Sequence, residues 1–147
     1  MVEVYHTHVQ VQPEQIDGLG HVNNVVYLQW VEQVAWQHSQ HLGLDLAAYQ
    51  RLDAAMVARE HQLSYKAACF VDDQIELRTW LGQRDLLNLY RHYQFIRLSD
   101  QRVVFEGLTR WVCIKLSNGR PIRMPLAFQQ AYGVSQPPAA GSPSTSV

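Results

Sequence analysis

The chain has 147 residues, of which 47% are hydrophobic, and its 12 Lys and Arg nearly balance 13 Asp and Glu. This composition predicts one compact domain with a substantial core, and the balanced charge argues against a protein that binds nucleic acid. The two cysteines have no metal-binding or disulfide-scaffold spacing, and no apolar run reaches the roughly 18 residues of a membrane span, which predicts a cytoplasmic, soluble protein.

In the N-terminal third, the spacing of apolar residues changes from every second position to every third or fourth position. Polar and apolar residues alternate from Glu3 to Val11, which predicts a first strand. Gly18 and Gly20 predict a turn after it. Apolar residues then recur every three or four positions from Asn23 to Leu42, so this segment is predicted to be a helix of about five turns that Gly43 ends.

The remaining chain is rich in strand-like segments. Four such segments follow a predicted short helix over Leu46–Leu52, and they are Ala55–Tyr65, Gln74–Leu81, Leu86–Leu98 and Arg102–Leu116. Their short connections favour antiparallel neighbours, so they are expected to form a meander.

The C-terminal end predicts a boundary between a domain and a tail. Pro125–Tyr132 is predicted to be a short helix with Gly133 after its end. Residues 1–133 are therefore expected to form the domain. Residues 134–147 have little apolar bulk to offset the entropy of ordering, and they are predicted to be a disordered tail.

The segment from Asp17 to Glu32, DGLGHVNNVVYLQWVE, carries a specific motif. It resembles the signature D-x-x-G-x-V-x-x-x-x-Y of the 4-hydroxybenzoyl-CoA thioesterase family, and its HVNN part is similar to acyl-carrier-protein thioesterases. The resemblance implies an α+β hotdog fold, a five-stranded antiparallel sheet around one long helix. It also implies hydrolysis of an acyl-CoA or acyl-carrier-protein thioester, without a metal or redox cofactor.

The resemblance assigns roles to six residues. Asp17 matches the catalytic carboxylate, which acts as a general base or as a nucleophile. Asn24 matches the position whose backbone N–H polarises the thioester carbonyl. The remaining matches, which are expected to line the substrate site, are Gly20, His21, Asn23 and Tyr27. Physical chemistry agrees with these roles, because the first N–H groups of a helix have no partner within it and stabilise negative charge.

Other interpretations of these residues stay open. Asp17 is also compatible with a turn residue whose side chain only caps the backbone. His21 could act as a base, as in hydratases of the same fold, although the Asn-Pro that such a motif requires after the aspartate is absent. A third alternative is an acyl-CoA-binding hotdog protein without turnover.

Other polar residues indicate partners more weakly. The pairs His6 and His8, and His38 and His41, have spacings that could bind a metal but are interpreted as surface histidines. Exposed strand edges predict a homodimer or homotetramer. The cations that could contact a CoA phosphate are scattered, and they are Arg59, Lys66, Arg84, Arg91 and Arg120. The identity of the acyl group and of its carrier does not follow from the sequence.

Overall fold

The computed structural model describes residues 3–135, which fold into five strands and three α-helices. A single 3-10 turn, Pro13–Gln15, precedes the first helix. In chain order the elements are β1 Val4–Gln10, α1 Asn24–His41, α2 Leu46–Leu52, β2 Ala54–Tyr65, β3 Gln74–Arg84, β4 Asn88–Arg97, β5 Arg102–Lys115 and α3 Leu126–Tyr132. Each predicted element is present, with ends that differ by at most a few residues.

The long helix α1 is fixed at both ends by local chemistry. Oδ1 of Asn23 accepts a hydrogen bond from the backbone N–H of Val25 at 3.1 Å, so Asn23 is the N-cap. Gly43 has a φ of +90°, a left-handed conformation that ends the helix at low cost. Between these ends the helix buries most of its apolar side chains against the sheet, while Val25 and Trp36 stay exposed.

The sheet order corrects one prediction. The five antiparallel strands lie in the order β1-β3-β4-β5-β2, so the predicted four-strand meander is wrong. Strands β3, β4 and β5 do form a meander, but β2 pairs with β5 and not with β3. Residues 66–73 form the connection from β2 to β3, which is longer than the loop of about two to five residues that joins hairpin strands. The chain therefore crosses the sheet there, and β1 occupies the position beside β3.

Two apolar clusters stabilise the domain. The larger one lies between α1 and the sheet, where Tyr27 stacks on Phe105 and Phe105 stacks on Phe95. The smaller one joins α2 and α3 to the ends of β2 and β5. Val134 packs against the smaller cluster, so packed structure extends one residue beyond the predicted boundary at 133. Most of the predicted tail, residues 136–147, lies outside the described residues.

The helices of residues 3–135 include none that is both long and apolar enough to span a membrane.

Candidate functional site

The loop before α1 is a tight hairpin that holds Asp17. The N–H of Asp17 donates to the carbonyl of His21 at 2.8 Å, and the N–H of Gly20 donates to the carbonyl of Asp17 at 3.1 Å. Gly20 adopts a φ of +82°, which favours glycine at the third loop position of such hairpins. A bridge between Ile16 and Val22 closes the loop.

The Asp17 carboxylate has one oxygen bound and one open. Its Oδ1 accepts hydrogen bonds from the backbone N–H groups of Leu19 at 2.8 Å and His21 at 3.4 Å. No residue between 3 and 135 donates a hydrogen bond to Oδ2. Asp17 therefore does stabilise the turn, as the alternative interpretation expects, and one carboxylate oxygen is still open for a further partner.

The N-terminus of α1 lies beside this loop. Asn24 is the first residue of the helix, so its N–H has no acceptor within the helix. Its carbonyl accepts a hydrogen bond from the Tyr65 hydroxyl at 3.4 Å, which joins the helix start to the end of β2. The structure thus presents an open N–H at the positive end of the helix dipole.

Asp17 and the helix start share a cavity of about 380 Å³. Five of the six predicted site residues line it, namely Asp17, His21, Asn23, Asn24 and Tyr27. Gly20 is in the same loop but is not among the lining residues. The other wall is formed by Tyr65, Lys66, Ala67 and Ala68 at the end of β2. Of these, Lys66 was expected as a possible contact of a CoA phosphate, and the others were not assigned to the site. That wall follows from the pairing of β2 with β5, which no sequence motif indicated.

Tyr27 forms the buried floor of this cavity. Its ring packs against Phe105, Trp30 and Tyr65, and only 2% of its surface is exposed. Burial, together with the neighbouring Cys69 thiol, raises the pKa of Tyr27. Burial also raises the pKa of the Cys69 thiol. Both groups are therefore neutral at physiological pH, and neither adds charge next to the cavity.

His21 is a wall residue in this arrangement. Its ring packs edge-on against Phe70, with the centroids 5.3 Å apart. The part of the chain that the structure describes has no ion pair between the His21 ring and Asp17, and the hydrogen bond between the two residues uses the His21 backbone. This geometry does not form a catalytic pair of His21 and Asp17.

The comparisons with known proteins agree on one family. Residues 11–132 match the family model of the Thioesterase-like superfamily. The chain belongs to this superfamily. A curated relative, a chloroplast acyl-acyl carrier protein thioesterase from Arabidopsis thaliana, is 19% identical over 134 residues, which are 90% of this chain and 69% of that protein.

Solved structures agree with this thioesterase-like assignment. A 1,4-dihydroxy-2-naphthoyl-CoA thioesterase from Synechocystis superposes with a TM-score of 0.81 at 18% identity, covering 89% of this chain and 96% of that one. A Staphylococcus aureus protein solved in complex with CoA gives 0.84 at 15% identity, with 100% and 98% covered. The predicted hotdog fold and the prediction of an acyl-thioester hydrolase are confirmed at the level of fold and family.

The thioesterase-like domain has a second cavity of about 440 Å³ that the sequence did not predict. It lies between α1 and the half of the sheet formed by β4, β5 and β2, and Arg91 lines it. Only 2% of the Arg91 surface is exposed, whereas the other four cations named as possible contacts of a CoA phosphate are exposed. The signal in the sequence was the alternation Leu89, Arg91, Tyr93, Phe95, which places Arg91 on the buried face of β4.

Candidate metal ligands are dispersed in the domain. Residues 3–135 contain no group of three or more His, Cys, Asp or Glu side chains placed to hold a metal ion. His38 is 3% exposed and hydrogen-bonds Arg91, so its interpretation as a surface histidine was wrong. Its helix neighbour His41 is exposed and packs against Tyr5.

Proposed function

We propose that this protein hydrolyses an acyl thioester of CoA or of an acyl carrier protein at the cavity that Asp17 lines. The observation that carries the proposal is the sharing of one cavity by the open oxygen of Asp17 and the first N–H of α1. The Asp17 oxygen can activate a nucleophile, and the helix N–H can stabilise the negative charge that develops on the carbonyl oxygen.

The reaction needs three events at the thioester. A water molecule gives its proton to Oδ2 of Asp17 and attacks the carbonyl carbon, or Asp17 attacks that carbon itself and forms an acyl-aspartyl anhydride, which water hydrolyses after the thiolate has left. The oxyanion forms within reach of the Asn24 N–H, at the positive end of the helix. The C–S bond then breaks and the thiolate leaves. A thiolate is a weak base, so the leaving group needs no strong general acid.

One cation and two similar proteins support CoA and acyl carrier protein as the carriers of the acyl group. Lys66 lines the cavity, and 47% of its side chain is exposed, with Nζ 3.9 Å from Glu106. CoA and acyl carrier proteins both present a phosphopantetheine arm, and a lysine at the rim is placed to meet its phosphate. One similar protein was solved with CoA, and another is a carrier-protein thioesterase, which supports both carriers.

We also propose that the domain forms a homodimer through the β2 edge, with a homotetramer as the larger alternative. Strand β2 is an edge strand, and residues 59–62 are exposed on both of its faces. The apolar residues Leu19 and Val25 are exposed beside the site, at 80% and 60%. An open edge next to exposed apolar side chains is a surface that self-association would cover. Light scattering at micromolar concentration that finds only monomers would contradict the dimer.

The cytoplasmic location stays a prediction. Both cysteines, Cys69 and Cys113, are buried and free, which suits a reducing compartment.

The experiment that tests the proposed function is a substrate panel. Purified protein is incubated with short, long and aromatic acyl-CoA thioesters and with acyl carrier proteins that bear the same acyl groups. Release of free thiol is followed, with the Asp17→Asn variant as the matched blank. Release that depends on Asp17 supports the proposal. Tight binding of acyl-CoA without release would favour the non-catalytic acyl-CoA-binding protein.

A further inference from the structure

Arg91 occupies an unusual place for a charged residue. It lies on the inward face of β4, the central strand of the sheet, between the buried side chains of Leu89 and Tyr93. Charged side chains are almost never fully buried unless an opposite charge pairs with them. Within residues 3–135, Arg91 has no carboxylate partner.

The partners that Arg91 does have are uncharged. Its Nη1 donates to Nδ1 of His38 at 2.7 Å and contacts Oγ1 of Thr79 at 3.2 Å. Burial, reinforced by the Arg91 charge, lowers the pKa of His38 to about 4, so this histidine is neutral at pH 7. Nε and Nη2 of Arg91 have no acceptor in the part of the chain that is described. Burial lowers the pKa of Arg91, but a guanidinium stays protonated in proteins, so Arg91 keeps its charge and has free donors.

These donors belong to a side chain that lines the cavity of about 440 Å³. Aromatic side chains form much of the wall, including Trp36, Tyr49, Trp111 and Tyr132. Nε1 of Trp111 is buried beside the Tyr93 hydroxyl, which interacts with it, so this N–H is not open to the cavity. A buried cation with free donors in a cavity calls for an acceptor that the described residues do not supply.

We propose that this cavity binds the carboxylate of a small organic acid, with Arg91 as the counter-ion. The aromatic walls enclose the apolar body of the acid. A carboxylate fits the planar donor array of a guanidinium and forms charge-assisted hydrogen bonds with it. Glu32 is the other charged residue in the lining; its side chain is 53% exposed and lies 3.8 Å from His61, so its charge is screened by solvent and by a neighbour.

Two kinds of molecule can supply the carboxylate. It can belong to a free acid, or it can be the distal end of an acyl group whose other end is a thioester. The second source rests on the proposed hydrolase function, whereas the first does not. Binding and turnover therefore have to be measured separately.

The binding experiment compares an acid with its neutral isostere. Calorimetric titration of the full chain with hexanoate and hexanamide is expected to show the acid binding at least about ten-fold more tightly. The variant Arg91→Met should lose that preference, and the exposed control Arg102→Met should keep it. Equal binding of acid and amide, no binding of the acid, or an unchanged preference in Arg91→Met would overturn the proposal.

A second variant protects the test against misfolding of Arg91→Met. Arg91→Lys keeps a positive charge at the same position of β4, and its fold is checked by circular dichroism. It should bind hexanoate more weakly than the wild-type protein and still prefer it over hexanamide. A folded Arg91→Lys variant that binds the two ligands equally would overturn the role of the charge.

The hydrolysis experiment identifies the source. Adipoyl-CoA and hexanoyl-CoA have acyl chains of the same length and differ in a distal carboxylate. A preference for adipoyl-CoA that disappears in Arg91→Met assigns the carboxylate to the substrate, and acid binding without such a preference assigns it to a free acid. If neither thioester is hydrolysed, the wider substrate panel decides the proposed function, and the calorimetric result still decides the carboxylate site.

Discussion

Nη1 of Arg91 donates a hydrogen bond to Nδ1 of His38 across 2.7 Å, joining the central strand β4 to helix α1. An arginine cannot accept a hydrogen bond, so Nδ1 of His38 must be unprotonated in this pair. The imidazole is therefore neutral and carries its proton on Nε2. This link between the sheet and the helix depends on pH, because protonation of His38 would place two cations side by side.

The first prediction concerns acid sensitivity. Burial and the adjacent Arg91 charge lower the pKa of His38 from 6.5 to about 4. The unfolded chain therefore binds more protons than the folded one between pH 6.5 and 4. In this window the free energy of unfolding should fall on acidification, by up to roughly 3 kcal/mol from this residue.

Urea denaturation at pH 7 and at pH 5 measures this effect, with His38→Asn as the matched control. Asparagine offers Arg91 an acceptor oxygen but has no titrating group. The variant should lose less stability than the wild-type protein on going to pH 5. Equal losses in both proteins would show that other groups cause the acid sensitivity.

The second prediction concerns the hairpin that holds Asp17. Gly20 has a φ of +82°, whereas Gly18 has an ordinary backbone, and both have open space where a Cβ would lie. Gly20→Ala should lower the free energy of unfolding by about 1 kcal/mol through backbone strain, and Gly18→Ala should be nearly neutral. Chemical denaturation of the two variants in parallel tests this. Similar losses in both would mean that φ does not set the glycine requirement at position 20.

The sequence predicted the elements and the Asp17 loop because both depend on local patterns. Alternation identified β1, three- and four-residue spacing identified α1, and Asn23 and Gly43 marked the helix ends. The position of β2 could not be predicted, because strand pairing depends on which edge is free once the sheet has formed. The burial of Arg91 was not predicted, although the alternation of Leu89, Tyr93 and Phe95 places Arg91 on their face of β4, because an arginine is ordinarily exposed to solvent.

The third prediction separates a backbone role from a side-chain role at Asn24. Proline is well tolerated at the first position of a helix, and Asn23 has a ψ of 137°, which suits a residue before proline. Asn24→Pro should therefore keep the fold but remove the N–H that polarises the carbonyl. Turnover should fall by about 100-fold or more, the usual effect of losing one oxyanion donor.

Asn24→Ala is the control, since it keeps the N–H and removes the side chain. Its turnover should stay close to that of the wild-type protein, while thermal melting shows that both variants are folded. An active Asn24→Pro variant, or an inactive Asn24→Ala variant, would remove the helix N-terminus from the mechanism.

The last prediction concerns Asp17 itself, whose carboxylate has a structural contact at Oδ1 and an open oxygen at Oδ2. Asp17→Asn can keep the hydrogen bonds at Oδ1 through its amide oxygen, but an amide is neither a base nor a nucleophile. Turnover of the best thioester should therefore fall by about 100-fold or more, with substrate affinity held.

Asp85 provides a matched control because it makes the same kind of turn away from the site. Its Oδ1 accepts hydrogen bonds from the N–H groups of Leu87 and Asn88, each at 2.8 Å. Asp85→Asn should cost about 1 kcal/mol of stability or less and leave turnover unchanged. If Asp17→Asn behaves in the same way as Asp85→Asn, Asp17 is a turn residue only. If His21→Ala abolishes turnover while Asp17→Asn stays active, a histidine replaces the aspartate in the mechanism.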